Sequence, residues 1–156
     1  MFLSDELDRA ILNALQDDGR LTNADLADQI GLSASACHRR VRRLESDGVI
    51  ERYAAMVNRE LVGRGVSVFV EISLESQREE LLDEFEAAVK DVPHVQSCHL
   101  MAGMSDYLVH VTCKDVADYE TIHRESLAVL PGVTRLRSNF AIRTVADTTT
   151  LNLSGS

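Results

Sequence analysis

The stretch "LTNADLADQIGLSASACHRRVRRLESDGVI", Leu21 to Ile50, decides how the chain is read. Thr22 followed three residues later by Asp25 resembles a capping box with aspartate in the acidic position. Leu26 and Ile30 then supply one apolar face, and Gly31 ends a short helix. Ser33 is placed to cap a second helix that runs to about Asp47, with Gly48 closing it. Upstream, "DELDRAILNALQDDG" repeats Leu7, Ile11, Leu12 and Leu15 at helical spacing, with Asp5 and Glu6 at the positive end of the helix dipole. The order is helix, helix, tight glycine turn, helix. "VIERYAAMVN" follows, with residues suited to a small β wing.

The third helix carries an unusual charge pattern. Four arginines, 39, 40, 42 and 43, fall within five positions, and no acid lies between Ser33 and Leu44. Yet the whole chain is acidic, with 16 basic and 25 acidic residues and a formal charge of −9. Plotted as a helix, Cys37, Val41 and Leu44 form the apolar stripe. Ser35, Arg39, Arg42 and Ser46 fall on the opposite side, flanked by His38 and Arg43, whereas Arg40 lies nearer the stripe. Adjacent cations repel, which a solvated face gains nothing from. A duplex supplies the missing anions, and arginine can donate two parallel bonds to guanine O6 and N7. The expected DNA-contacting set is Thr22, Ser33, Ser35, His38, Arg39, Arg42 and Arg43 on a helix-turn-helix. Arg40 is open to two roles, an internal ion pair or a phosphate contact. Both halves of the chain are acidic overall, so such a site is a local patch and not a general field.

From Gly65 the period changes. "GVSVFVEISL" places Val66, Val68, Val70, Ile72 and Leu74 on one face, and Ser67, Phe69, Glu71 and Ser73 on the other. "REELLDEFEAAVKDV" is helical and Pro93 stops it; "VQSCHLMA" and "DYLVHVTC" are two strands joined by "GMS". "DVADYETIHRESLAVL" is a second helix ended by Pro131-Gly132, and "VTRLRSNFAIRTV" is a last strand. The order β-α-β-β-α-β predicts a ferredoxin-like sandwich. The fold class is therefore α+β: an N-terminal winged helix-turn-helix over 1–60, and a ferredoxin-like domain over 61–156. Both helices cover one sheet face, and the other needs a cover. Sheet-on-sheet dimerisation provides it. The tail "ADTTTLNLSGS" reads as loose.

Other chemistries find little support. Cys37, Cys98 and Cys113 show no zinc or disulfide spacing. His94, His99, His110 and His123 form no HxH or HxxxH pattern, although His99 and His110 sit on adjacent strands. There is no Gly-x-Ser-x-Gly and no glycine-rich phosphate loop. No apolar run approaches the roughly 20 residues of a membrane span, and "MFLSDELDRAILNAL" lacks the basic start of a signal peptide. A cytoplasmic, nucleoid-associated protein without cofactor, metal or catalytic group is expected.

The two halves together resemble the Lrp/AsnC, or feast/famine, family of regulators. The likeness rests on "LDRAILNALQDDGRLTNADLADQIGLSASACHRRVRRLESDGVI", "VFVEISL", "CHLMAGMSDYLVHV" and "LPGV". It covers residues 5–145, and Gly-x-x-Asp-Tyr, Gly103 to Tyr107, is its most specific mark in the second half. The resemblance implies double-stranded DNA and a small amino acid as partners, and homodimers that assemble further, commonly to octamers. It implies an effector site of Met101, Ala102, Gly103, Asp106, Tyr107, Leu136 and Ser138. Ala102 and Leu136 stand where the family often has hydroxyl residues, which favours an apolar effector side chain. Two further readings remain: an enzyme resembling the sirohaem decarboxylases, which should lack an arginine-rich recognition helix, and an effector-independent chromosome-organising protein.

Overall fold

In the computed structural model, residues 5–153 are described. The first four and last three residues of the two expected domains lie outside them. The chain forms two compact units. One comprises the chain through Met56 together with the segment from Ala146 onward; the other is Val57–Val145.

The first unit holds three helices: α1 (Glu6–Asp17), α2 (Asn23–Ile30) and α3 (Ala34–Ser46). Each starts on a side-chain cap. Asp5 accepts from the Leu7 N–H, Thr22 from Asp25 and Ser33 from Ala36, so each cap satisfies one of the free first-turn amides. The Asp25 carboxylate also accepts from the Thr22 hydroxyl at 2.6 Å. Gly31 closes α2 at φ +71°, a left-handed conformation that glycine adopts without steric cost, and so sets the turn between α2 and α3. Ile11, Leu12, Ala14, Leu26, Ala27, Cys37 and Leu44 form the core. Of the expected wing, the strands do not form. Residues 51–58 form no strand and are exposed, with no ladder of their own to satisfy the backbone. Tyr53 anchors this run by donating to Glu45 at 3.1 Å.

The second unit is a four-stranded antiparallel sheet with two helices. Its elements are β1 (Val66–Leu74), α4 (Glu79–Lys90), β2 (Val95–Leu100), β3 (Tyr107–Cys113), α5 (Val116–Ile122) and β4 (Val133–Phe140). After Ile122 the second helix widens into a π turn over His123–Leu127. The strand order is β2-β3-β1-β4. This is the β-α-β-β-α-β sandwich that the period changes predict. Val68, Val70, Ile72, Tyr107, Val109 and Val111 are fully or almost fully buried against Phe85, Val89, Tyr119, Ile122 and Leu127. The alternation in β1 thus points one row into the core, and leaves Phe69 at 39 % exposure on the other face. There Phe69 stacks on His110 with ring centroids 4.7 Å apart.

The turn into β4 is the tightest point of this unit. Gly132 has φ +68°, and a Cβ placed on it would lie 2.7 Å from the Leu81 side chain. Its carbonyl also accepts from the Glu75 N–H at 2.9 Å, tying the end of β1 to the start of β4. Replacing it combines left-handed strain with a clash against α4. Gly132→Ala should therefore destabilise the second unit by about 1–3 kcal/mol, read as a lower midpoint in urea.

Candidate nucleic-acid and effector sites

In the first unit, α2 and α3 are locked at their starts. The Asn23 side-chain amide donates to the Ala34 carbonyl at 2.8 Å, so the first turn of α3 is fixed against α2. Ser33 and Ser35 hydroxyls lie 3.3 Å apart at that turn, beside amides that helix geometry leaves free. Thr22, Ser33, Ser35, His38, Arg39 and Arg42 are all exposed. The α2–turn–α3 unit therefore presents hydroxyls, an imidazole and guanidiniums on one helix and its approach.

The four arginines do not share one environment. Arg40 donates to Asp5 at 2.6 Å and to Asp8 at 2.8 Å. Arg43 donates to the other oxygen of Asp8, with its side chain half exposed. Asp8 itself is 2 % exposed. Arg42 lies 3.9 Å from Glu45 with its side chain 73 % exposed, a loose contact. Arg39 makes no ion pair among the described residues. Arg40 takes the internal ion pair, one of its two expected roles, and Arg43 shares Asp8 with it. No acid lies between Ser33 and Leu44, but Asp5 and Asp8 arrive through space from the start of α1. The Arg40 guanidinium also holds the Asp5 carboxyl below its ordinary value, with the Leu7 amide assisting. A carboxyl of depressed pKa stabilises the fold above its unfolded value, here 3.8. That contribution is lost as the pH falls through the folded value.

In the second unit the hairpin between β2 and β3 exposes Met101, Ala102, Gly103 and Met104. Their loop is closed by the Met101 N–H, which donates to the Asp106 carbonyl at 2.8 Å. The Asp106 side chain turns inward. Its carboxylate accepts from the Leu74 N–H at 2.7 Å and from the Gln77 amide at 2.6 Å, and its own N–H donates to Ile72 at 2.9 Å. Asp106 therefore organises the end of β1 and the loop after it. Tyr107 is buried against Phe85 at a centroid distance of 4.4 Å and donates to Glu86 at 3.0 Å. Burial, with that Glu86 contact, raises its pKa well above the ordinary tyrosine range. Leu136 pairs with Ile72 and Ser138 with Val70, and the Ser138 hydroxyl bonds that of Tyr119. Strand order puts β4 two strands from β3, about 10 Å away. The fold thus brings Met101, Ala102 and Gly103 together beside Asp106 and Tyr107, and holds Leu136 and Ser138 apart from them.

Some features had no signal in the sequence. Asp5 reads only as an acid at the positive end of a helix, and Asp8, Gln77 and Glu86 lie in no motif. Cys98 is half buried, and burial pushes its thiol up to about 11, with Glu86 adding to the shift. That makes it a poor nucleophile at neutral pH. Among the described residues no three His, Cys, Asp or Glu side chains converge to hold a metal ion. No described helix is long and apolar enough to cross a membrane.

Comparison with known proteins agrees with this division of labour. Residues 4–51 match the family model for winged helix-turn-helix DNA-binding, and residues 67–151 match that for the Lrp/AsnC ligand binding domain. The Bkd operon transcriptional regulator of Pseudomonas aeruginosa is 43% identical over 141 residues, covering 90% of this chain and 92% of that protein. The leucine-responsive regulatory protein of Salmonella typhimurium is 39% identical over 147 residues, covering 94% and 90%. A Neisseria meningitidis transcriptional regulator solved in complex with L-methionine superposes with a TM-score of 0.90, at 34% identity over 96% of each chain. An AsnC family regulator from Agrobacterium tumefaciens gives 0.91 at 38% identity, covering 96% and 97%.

The buried Asp8 carboxylate generates a stability prediction. Asp8→Ala leaves Arg40 with one acid and Arg43 with none, and should cost the first unit about 1–3 kcal/mol. Arg39→Ala, at an exposed position without an ion pair, should stay within about 0.5 kcal/mol of the parent. Chemical denaturation followed by circular dichroism distinguishes the two.

Proposed function

The chain belongs to the Lrp/AsnC family of transcription regulators, and from that premise we propose that it binds specific DNA sequences through α3 and that a small amino acid modulates this binding. The observation that carries the reading is the exposed Ser35–His38–Arg39–Arg42 face of a helix-turn-helix whose other two arginines are held internally. Arg39 and Arg42 read bases or phosphates. Arg43 adds a weaker phosphate contact, because Asp8 already opposes its charge. Thr22 and Ser33 position the two helix starts against the backbone. The regulator acts by binding alone, with no catalytic step of its own, in the cytoplasm and on the nucleoid.

Effector coupling is assigned to the second unit. Relatives named for leucine, or solved with L-methionine, support an apolar amino acid. The exposed Met101–Ala102–Gly103 loop offers backbone groups and apolar contact. Asp106 acts through the loop it braces, since two donors already occupy its carboxylate. Leu136 and Ser138 lie too far along the sheet to join that loop within one protomer, which fits a site completed between protomers. A ligand that favours one assembly then shifts DNA affinity by its differential binding. We read the protein as a homodimer through its open sheet faces, assembling further to an octamer.

Mutation, amino-acid titration and sedimentation test this reading. Arg39→Ala should lose about 1–3 kcal/mol on a selected operator and relax base preference there. The salt dependence of binding should fall for Arg43→Ala and change less for Arg39→Ala. Equal loss on specific and random DNA would reduce Arg39 to a phosphate contact. Thermal-shift titration with each amino acid, repeated as gel shifts, identifies the effector; no response to any of them would favour an effector-independent DNA-organising role. For assembly, Phe69→Asp places a charge at the centre of the open face. Sedimentation velocity should then show the dimer dissociating to monomers, and an unchanged species would place the interface elsewhere.

A further inference from the structure

The polar end of the chain does not hang free. The Leu151 N–H donates to the Gln16 side-chain carbonyl at 2.7 Å, and the Gln16 amide donates back to the Leu151 carbonyl at 3.2 Å. Gln16 lies in the last turn of α1. Its primary amide thereby satisfies both main-chain groups of one residue, as a neighbouring strand would. Two residues on, Leu153 packs against the α1–α2–α3 core. Before it, Thr148 accepts from the Thr150 N–H at 3.1 Å and shapes the approach. The segment from Ala146 therefore belongs to the DNA-binding unit. The chain leaves that unit at Met56 and re-enters it at Ala146, which makes the whole effector unit, Val57–Val145, an insertion within it.

We propose that the C-terminal segment is a clasp. By closing on α1 it gives the effector unit a second tether to the DNA-binding unit, continuous in the chain at Val145–Ala146 and held on α1 by non-covalent contacts, and so restricts the placement of the recognition helix. A unit held by one linker explores a wide range of orientations. A second crossing closes a loop and removes much of that freedom. The contacts that shut the clasp include two neutral hydrogen bonds and one partly buried leucine. Neutral hydrogen bonds contribute modestly, and differential ligand binding can oppose them. The clasp can therefore bias the recognition helix and be opened. Its mechanical role stands on these contacts alone; its role in transmitting the effector signal rests on the regulator reading above.

The experiment separates these two parts. Spin labels are placed through Asn13→Cys on α1 and Asp83→Cys on α4, in a Cys98→Ser background, with the labelled chain diluted into unlabelled protein. The distance distribution should be narrow in the full chain. It should broaden in a chain ending at Thr148, and in the full-length variant Gln16→Ala, which keeps the tail but removes both hydrogen bonds. Hydrogen exchange provides the check on the contact itself, with the Leu151 amide protected in the full chain and released in Gln16→Ala. Equal distance widths in all three proteins, or an unprotected Leu151 amide in the parent, would overturn the clasp. The second arm measures DNA affinity with and without L-leucine and L-methionine. Where the parent responds, the ratio should fall toward one in the truncated chain, and an unchanged ratio removes the transmitting role. Where the parent does not respond to any amino acid, the effector reading fails and the clasp is still decided by the distance widths.

Discussion

The Asp8 carboxylate is the constraint on which the DNA-binding unit depends. It is almost fully buried, and an ionised carboxylate cannot be held away from water without partners. Arg40 and Arg43, one turn apart on α3, supply them. Because Asp8 sits on the first turn of α1, this pairing fixes the rotation of α3 about its own axis. Rotation is what decides which side chains a recognition helix offers. With Arg40 and Arg43 turned toward α1, Arg39 and Arg42 have to face outward. Shape and charge follow from one buried group: a surplus of four cations becomes two well-exposed ones and a third that is shared.

The second unit uses a buried aspartate in a parallel way. Asp106 closes the base of the β2–β3 hairpin on its main chain and braces the end of β1 with its side chain. The loop it anchors is exposed and apolar, so order is imposed from beneath while the tip stays available. Tyr107 extends the same logic into the core through Phe85 and Glu86. Both units are acidic overall, so the exposed arginines of α3 are a local patch on a phosphate-repelling background.

Much of the architecture was legible from periodicity. The α1, α2 and α3 repeats, the caps at Thr22 and Ser33 and the two glycines after α2 and α3 are local signals, and local chemistry settles them. The alternation of β1 is equally direct, since a half-buried strand leaves a period-two trace. The strands expected of the wing are absent for the same reason in reverse: β-prone residues at 49–57 carry propensity, but a strand needs a partner to bond with, and none is present among the described residues. Polar composition marked the tail as loose, yet what docks it is mostly main chain, which composition does not report.

By itself the sequence determined what repeats along the chain: the helix-turn-helix, the β-α-β-β-α-β order, the arginine-rich helix, and the glycine that the Pro131-Gly132 turn requires. Each of these is encoded by residues within a few positions of one another. Only the tertiary structure decided which arginines are spent on the fold, that Asp106 braces β1, that Leu136 and Ser138 stand apart from the hairpin, and that the chain's end returns to α1. Those outcomes depend on pairs separated by tens to more than a hundred residues. No local pattern carries them, because a carboxylate chooses its partner by distance in space and by the cost of being buried without one.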